Sequence, residues 1–214
     1  MKWFSTHLGQ VGSLMVSHAL LALAPLLIGL VVAIPLGWLA WRYRVLRTPL
    51  IAGTGLLYTI PSLALFILMP LVLGTGILDP VNVVVALTVY TVALLVRTVA
   101  DGLASVPDEV LQAATAMGIG PVRKFFTVQL PLAVPVVAAG LRVAAVSNVS
   151  IVSVAALLGI AQLGSLFTDG FARNFLDPIV VGILACMVLA LVVDLAIMAI
   201  SRAVTPWLRT RRTA

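Results

Sequence analysis

Four ionisable residues stand inside stretches that are otherwise apolar: Arg97, Asp101, Arg142 and Asp194. A charge at membrane depth is costly and normally faces a partner or a wet cavity. Arg97 and Asp101 are four residues apart and can pair along one helix face. Arg142 and Asp194 are candidates for an ion pair between two helices; the alternative is that each faces a wet cavity separately. Ser147, Asn148, Ser150 and Ser153 follow Arg142 in the same run. Such groups either line a path for a polar solute or join helices by hydrogen bonds. This set suits passage of an ion or solute better than bond-breaking chemistry. No histidine lies among the serines to activate them, and no H-E-x-x-H occurs. The only lysines, Lys2 and Lys124, do not follow a glycine, so no G-x-x-x-x-G-K-[ST] loop exists. His7 and His18 are isolated and expected as interfacial polar residues rather than metal ligands. The expectation is therefore a chain that is not an enzyme, binds no cofactor or metal itself, and depends on a partner to supply energy.

The elements that must hold these residues are membrane helices. Of 214 residues, 62% are hydrophobic and only 9% charged. A soluble domain carries about 25% charged residues. Residues 3–41, 48–78 and 143–168 contain no charged side chain at all, and about 20 apolar residues suffice to cross a bilayer. Cys186 is the one cysteine, so no internal disulfide can form. The first apolar run is too long for a signal peptide's core and is expected to be retained.

Five spans are expected, near residues 19–41, 50–73, 81–100, 132–158 and 178–201. Residues 1–18 precede them as an N-terminal interfacial segment with Trp3 and Phe4, and a transmembrane domain covers 19–205. Residues 206–214 form a basic tail. With five spans, Arg42, Arg44, Arg47, Arg123, Lys124, Arg202, Arg209, Arg211 and Arg212 share one side. The other side has only Lys2 and Arg173 among basic residues, so the first side is expected in the cytoplasm, with the N-terminus outside. The net charge of +6 thus reflects topology and lipid contact rather than nucleic-acid binding.

Residues 105–131 are the one long interval that reads as water-facing. Ser105 with Asp108 resembles a capping box, and Pro107 suits a first helical turn. Val110, Ala113, Ala114 and Met117 recur at helical spacing, giving a short helix with a small apolar face. Gly118 can end that helix in the left-handed conformation, and Gly120-Pro121 restarts the chain. The expectation is helix, turn, helix between two spans. Small side chains let such a helix seat closely in another protein's groove, and the tight turn fixes its angle.

This stretch resembles the cytoplasmic coupling loop of permeases in binding-protein-dependent ABC importers, whose signature is Glu-Ala-Ala, three residues, Gly, nine residues, Ile, any residue, Leu-Pro. The counterparts are Gln112, Ala113, Ala114, Gly118, Leu130 and Pro131, with Gln112 for Glu and Val128 for Ile. Ile34-Pro-Leu-Gly37, Thr59-Ile-Pro-Ser-Leu-Ala-Leu65, Gln129-Leu-Pro-Leu-Ala-Val-Pro135 and Ala139-Gly-Leu-Arg142 look like permeases for glycine betaine, choline, carnitine and related osmoprotectants. Residues 158–164 depart from the glycine-rich segment usual there. The resemblance implies an all-α, type I importer permease, similar to the methionine permeases, in the bacterial inner membrane. It also implies a cytoplasmic ATPase dimer, a second permease subunit, identical or paralogous, and an external solute-binding protein. Tyr58, Pro61, Ser62, Ser147, Asn148 and Ser150 are the expected path residues. A methionine or other small-solute importer, or an ion-coupled secondary transporter, is the alternative; no clear inverted repeat supports the latter.

Overall fold

The structure, a computed structural model, describes residues 2–208. Arg209, Arg211 and Arg212, assigned above to a basic tail, lie outside the described residues. Every regular element among the described residues is helical. A short α1 (Lys2–Thr6) precedes α2 (Leu8–Arg42), which runs for 35 residues. That is about 52 Å of helix against a hydrocarbon core of about 30 Å, so α2 projects beyond the apolar layer. Residues 8–18, expected as an interfacial segment, are part of the same helix as the first span.

The expected second span is broken into α3 (Arg44–Tyr58) and α4 (Ser62–Leu73), bent by 102°. Pro61 lies at the break in an extended conformation, φ −59° and ψ 133°. Proline has no N–H to give a helix and drives its predecessor out of helical geometry. Next come α5 (Pro80–Ala104) and α6 (Asp108–Ala116). A helical rod then follows from α7 (Pro121–Lys124), through a π turn at Phe125–Gln129, into α8 (Leu130–Val152) and a 3₁₀ turn at Ser153–Leu158. The chain finishes with α9 (Ser165–Ala172) and α10 (Leu176–Val204). Asp79 caps α5, accepting from the Val81 N–H at 2.9 Å, with Pro80 at the first helical position.

Helix directions settle the number of crossings. A Cβ on Gly29 would lie 2.5 Å from Thr91 Cγ2, and one on Gly37 2.6 Å from the Val99 side chain. The two helices therefore touch backbone to side chain along a seam that advances the same way on both, so α2 and α5 are parallel. The chain leaves α2 at one end of the bundle and enters α5 at the other. The bent pair α3–α4 must carry it back, and it counts as one crossing, giving five. Opposite registers hold elsewhere. Asn148 meets Thr91 while Ala133 and Val137 meet Gly102, making α8 antiparallel to α5. Arg142 meets Asp194 while Ser153 meets Cys186, making α10 antiparallel to α8.

The centre is α5, which packs on α2, α3, α4 and α8. Its apolar stretch is 56% buried within the chain, against 17% for α10, which lies at the periphery. Phe66, Leu87, Leu95, Val99, Leu103, Val152 and Leu163 are fully enclosed. His18 is enclosed with them, not interfacial as expected. Its Nδ1 meets Gln162 Oε1 at 3.0 Å and its Nε2 meets the Val149 carbonyl at 2.9 Å. A lone histidine near a span's end reads as polar trim only until its partners, far away in sequence, are known.

Candidate functional site

The loop at residues 105–131 forms a helix, a turn and a second short helix that runs into α8. The helix α6 places Asp108 and Glu109 in its first turn, where they complement the helix dipole. The expected capping box does not form: Ser105 Oγ donates to the Gly102 carbonyl at 2.7 Å and closes α5, while no side chain caps α6. At the far end, Gly118 takes φ +76°. The Gly118 N–H donates to Thr115 O at 2.9 Å and the Ile119 N–H to Ala114 O at 3.1 Å. These two bonds make a Schellman motif, the left-handed ending that favours glycine. Lys124 Nζ donates to Thr115 Oγ1 at 2.8 Å, tying the second arm to the first.

Behind the turn, Pro131 cannot donate to the Thr127 carbonyl, and the ladder there widens to the π register, Leu130 N–H to Phe125 O. Phe125 reaches the Trp38 ring of α2 edge to face at 6.3 Å. The loop is thereby anchored to the first span as well as to α5 and α8. Ala114 is buried inward, while Gln112, Ala113 and Gly118 are exposed and Leu130 and Pro131 half-buried. Val110, Met117, Val122 and Phe126 stand open to the outside. A fixed helix with small side chains and uncovered apolar neighbours can seat in a groove of another protein and transmit its motion.

Within the bundle, Arg142 and Asp194 make the two-pronged pair: Nε to Oδ1 at 2.6 Å and Nη2 to Oδ2 at 2.8 Å. Asp101 holds Arg97 at 3.6 Å as the spacing suggests, and also Arg47 at 3.2 Å. The second contact was missed; the shared end of α2, α3 and α5 was the available signal. Of the polar residues after Arg142, Ser147 is half-open and Ser150 exposed. Asn148 is buried, donating to the Ala22 carbonyl at 3.2 Å and to Thr91 Oγ1 at 3.0 Å, so here it joins α8 to α2 and α5. Tyr58, Pro61 and Ser62 cluster at the bend, where the Tyr58 and Tyr90 rings meet edge to face and Tyr90 Oη donates to the Ile60 carbonyl.

Five crossings, an anchored helix standing out from the bundle and a sequence without a nucleotide-binding loop define a pathway subunit of a transport assembly. The chain belongs to the family described as binding-protein-dependent transport system inner membrane component, which matches residues 13–209. It is thus a multi-pass permease subunit and not an enzyme. Among its relatives is the osmoprotectant import permease protein OsmW of Salmonella typhimurium, 32% identical, with 92% of this chain and 93% of the relative covered. Another is the glycine betaine/carnitine/choline transport system permease protein OpuCD of Bacillus subtilis, 31% identical over 95% of this chain and 88% of the relative. The fold matches that of a chain in an inward-facing structure of the MetNI methionine ABC transporter, with a TM-score of 0.83 at 20% identity, covering 94% of this chain and 98% of that one.

Proposed function

We propose that this chain forms the membrane pathway for osmoprotectants such as glycine betaine, choline or carnitine, with a separate ATPase dimer driving it through residues 105–131. A second permease subunit completes the pathway, and an external binding protein delivers the solute. The N-terminus lies outside and the described end of α10 in the cytoplasm, the orientation that the distribution of arginines favours. Gln112, Ala113, Ala114 and Gly118 present the contact to the ATPase, and Leu130 with Pro131 joins it to the span. Tyr58, Pro61, Ser62, Ser147 and Ser150 are assigned to the path. One observation carries the reading: the loop motif stands as an anchored, uncovered helix in a chain whose similar-length relatives are named as osmoprotectant permeases.

The test is uptake of labelled glycine betaine at high osmolarity in a deletion strain, complemented with wild type or Gly118→Asp. Unlabelled choline and carnitine serve as competitors. Restoration by wild type alone supports both solute class and coupling loop. Restoration by both variants removes the coupling assignment, and restoration by neither removes the solute class.

A further inference from the structure

One stripe of α8 carries Ala139, Arg142, Val143, Val146, Ser147 and Ser150 at helical spacing, partly or fully open in this chain. With Asp194 of α10, the first five border a cavity of about 430 Å³, a size ordinary for small-molecule sites, roughly 300–1,000 Å³. Asp194 lies ten residues before the end of α10, about 15 Å of helix, so the cavity sits at membrane depth. The Arg142 and Asp194 side chains remain 40% and 22% exposed there. Lipid is a costly neighbour for such groups. Much of the remaining open α10 surface, including Val180, Leu184, Val188, Leu191 and Leu195, is apolar and suits acyl chains. Arg142 and Asp194 therefore form a charged patch in a largely apolar outer surface, and such a patch suits water or a solute better than acyl chains.

The pair is not closed on itself. Arg142 commits Nε and Nη2 to Asp194, and its Nη1, with two N–H groups, has no partner among the described residues. A second carboxylate can dock on that free edge. Asp194 borders the same cavity and attracts a cationic nitrogen. Ala139, Val143 and Val146 supply the apolar wall that a methylated ammonium, which donates no hydrogen bond, requires.

We propose that the Arg142–Asp194 cavity is a solute-binding station selective for small zwitterions, molecules that carry a carboxylate and a cationic nitrogen together. The proposal rests on the reading of this chain as an osmoprotectant pathway and adds the site and the ground of selection. Because the two charges already neutralise each other, an arriving zwitterion only shares them. The solute is held weakly and can leave, as passage demands.

The test uses the complete importer in proteoliposomes, with glycine betaine as the zwitterion and choline as a cation without a carboxylate. Arg142→Lys keeps the charge but loses the planar fork. Its betaine uptake should fall about tenfold, the loss of roughly one charge-assisted hydrogen bond, with choline uptake changed less than about threefold on the same scale. The apolar pair Arg142→Met/Asp194→Leu should abolish the preference for betaine while still co-purifying with the ATPase. An unchanged betaine-to-choline ratio in both variants would overturn the proposal and leave the pair a packing device. If these variants fail to assemble, Ser147→Cys in a Cys186→Ala background decides. Betaine, and not choline, should slow its labelling by a charged thiol reagent, and equal labelling rates would overturn the station. Wild-type importer that moves neither solute overturns the osmoprotectant reading itself, a result separable from altered selectivity in the variants.

Discussion

His18 of α2 and Gln162 of the connection before α9 are bonded side chain to side chain, Nδ1 to Oε1 at 3.0 Å, inside a fully enclosed pocket. Gln162 cannot turn its amide round. Its Oε1 also accepts from the Gly164 N–H, and its Nε2 donates to the Ser153 carbonyl at 3.3 Å. Flipping would set donor against donor and acceptor against acceptor. Both His18 nitrogens therefore face carbonyl oxygens, Gln162 on one side and Val149 on the other. The histidine clamps α2, α8 and residues 159–164.

Removing the clamp should loosen that segment. His18→Ala removes the ring and the hydrogen bond that its N–H gives to an enclosed carbonyl oxygen, at about 1–3 kcal/mol. Thermal unfolding of the detergent-purified chain should shift clearly downward, and His18→Asn, which retains an N–H₂ group, should recover part of the loss. Identical midpoints for wild type and His18→Ala would show that the pocket does not depend on the ring.

The bundle was largely legible because apolar run length, proline and arginine placement act locally. Residues 105–131 were legible as helix, turn and helix down to the glycine at which the first helix ends, since a left-handed ending is a property of a few adjacent residues. Ser105 went astray through competition: one hydroxyl could cap α6 or close α5, and it closes α5. The break at Pro61 is local in origin, since proline gives no N–H to a helix, but its 102° angle is reached with both arms packed against α5. His18 was misplaced, and the role of Asn148 was left open, for one reason. Their partners lie as far as 144 and 126 residues away in sequence, and no local pattern tells a polar residue that joins helices from one that faces water.

Gly118 tests whether the loop works as a lever. A β-branched residue at φ +76° is strained by about 1–3 kcal/mol, enough to unseat the Schellman turn and reorient α6. Gly118→Val should reach the membrane in normal amount and fail to stimulate ATP hydrolysis or uptake in the assembled importer. Gly118→Asn, a residue that tolerates the left-handed region, should retain most of both. Equal activity in the two variants would mean that the turn does not set the helix angle.

Tyr90 supports the broken span. The bend frees backbone groups that a continuous helix would satisfy, and the Tyr90 hydroxyl donates to one of them, the Ile60 carbonyl. Tyr90→Phe should destabilise the chain by about 1–3 kcal/mol with little change in fold, as no volume is lost apart from the oxygen. Because the same tyrosine packs on Tyr58, uptake should fall more than stability alone explains if the bend borders the path. A loss of uptake that only follows the loss of folded protein would confine Tyr90 to support.

Gln129 presents the opposite case, a polar group that the fold encloses and leaves unmatched. It is 3% exposed at the end of the π turn, and its Nε2 has no hydrogen-bond partner in this conformation. An orphaned amide is a cost that a thioether of similar length would not carry. Gln129→Met should therefore raise the unfolding midpoint of the isolated chain, by about 1 kcal/mol in stability. The same substitution should slow uptake if the amide finds an acceptor once α6 is pushed and the π turn shifts register. Such turns sit often where helices must move. Gain in stability with unchanged uptake would leave Gln129 an unpaired defect, whereas gain in stability with loss of uptake would place the moving joint of the loop at this turn.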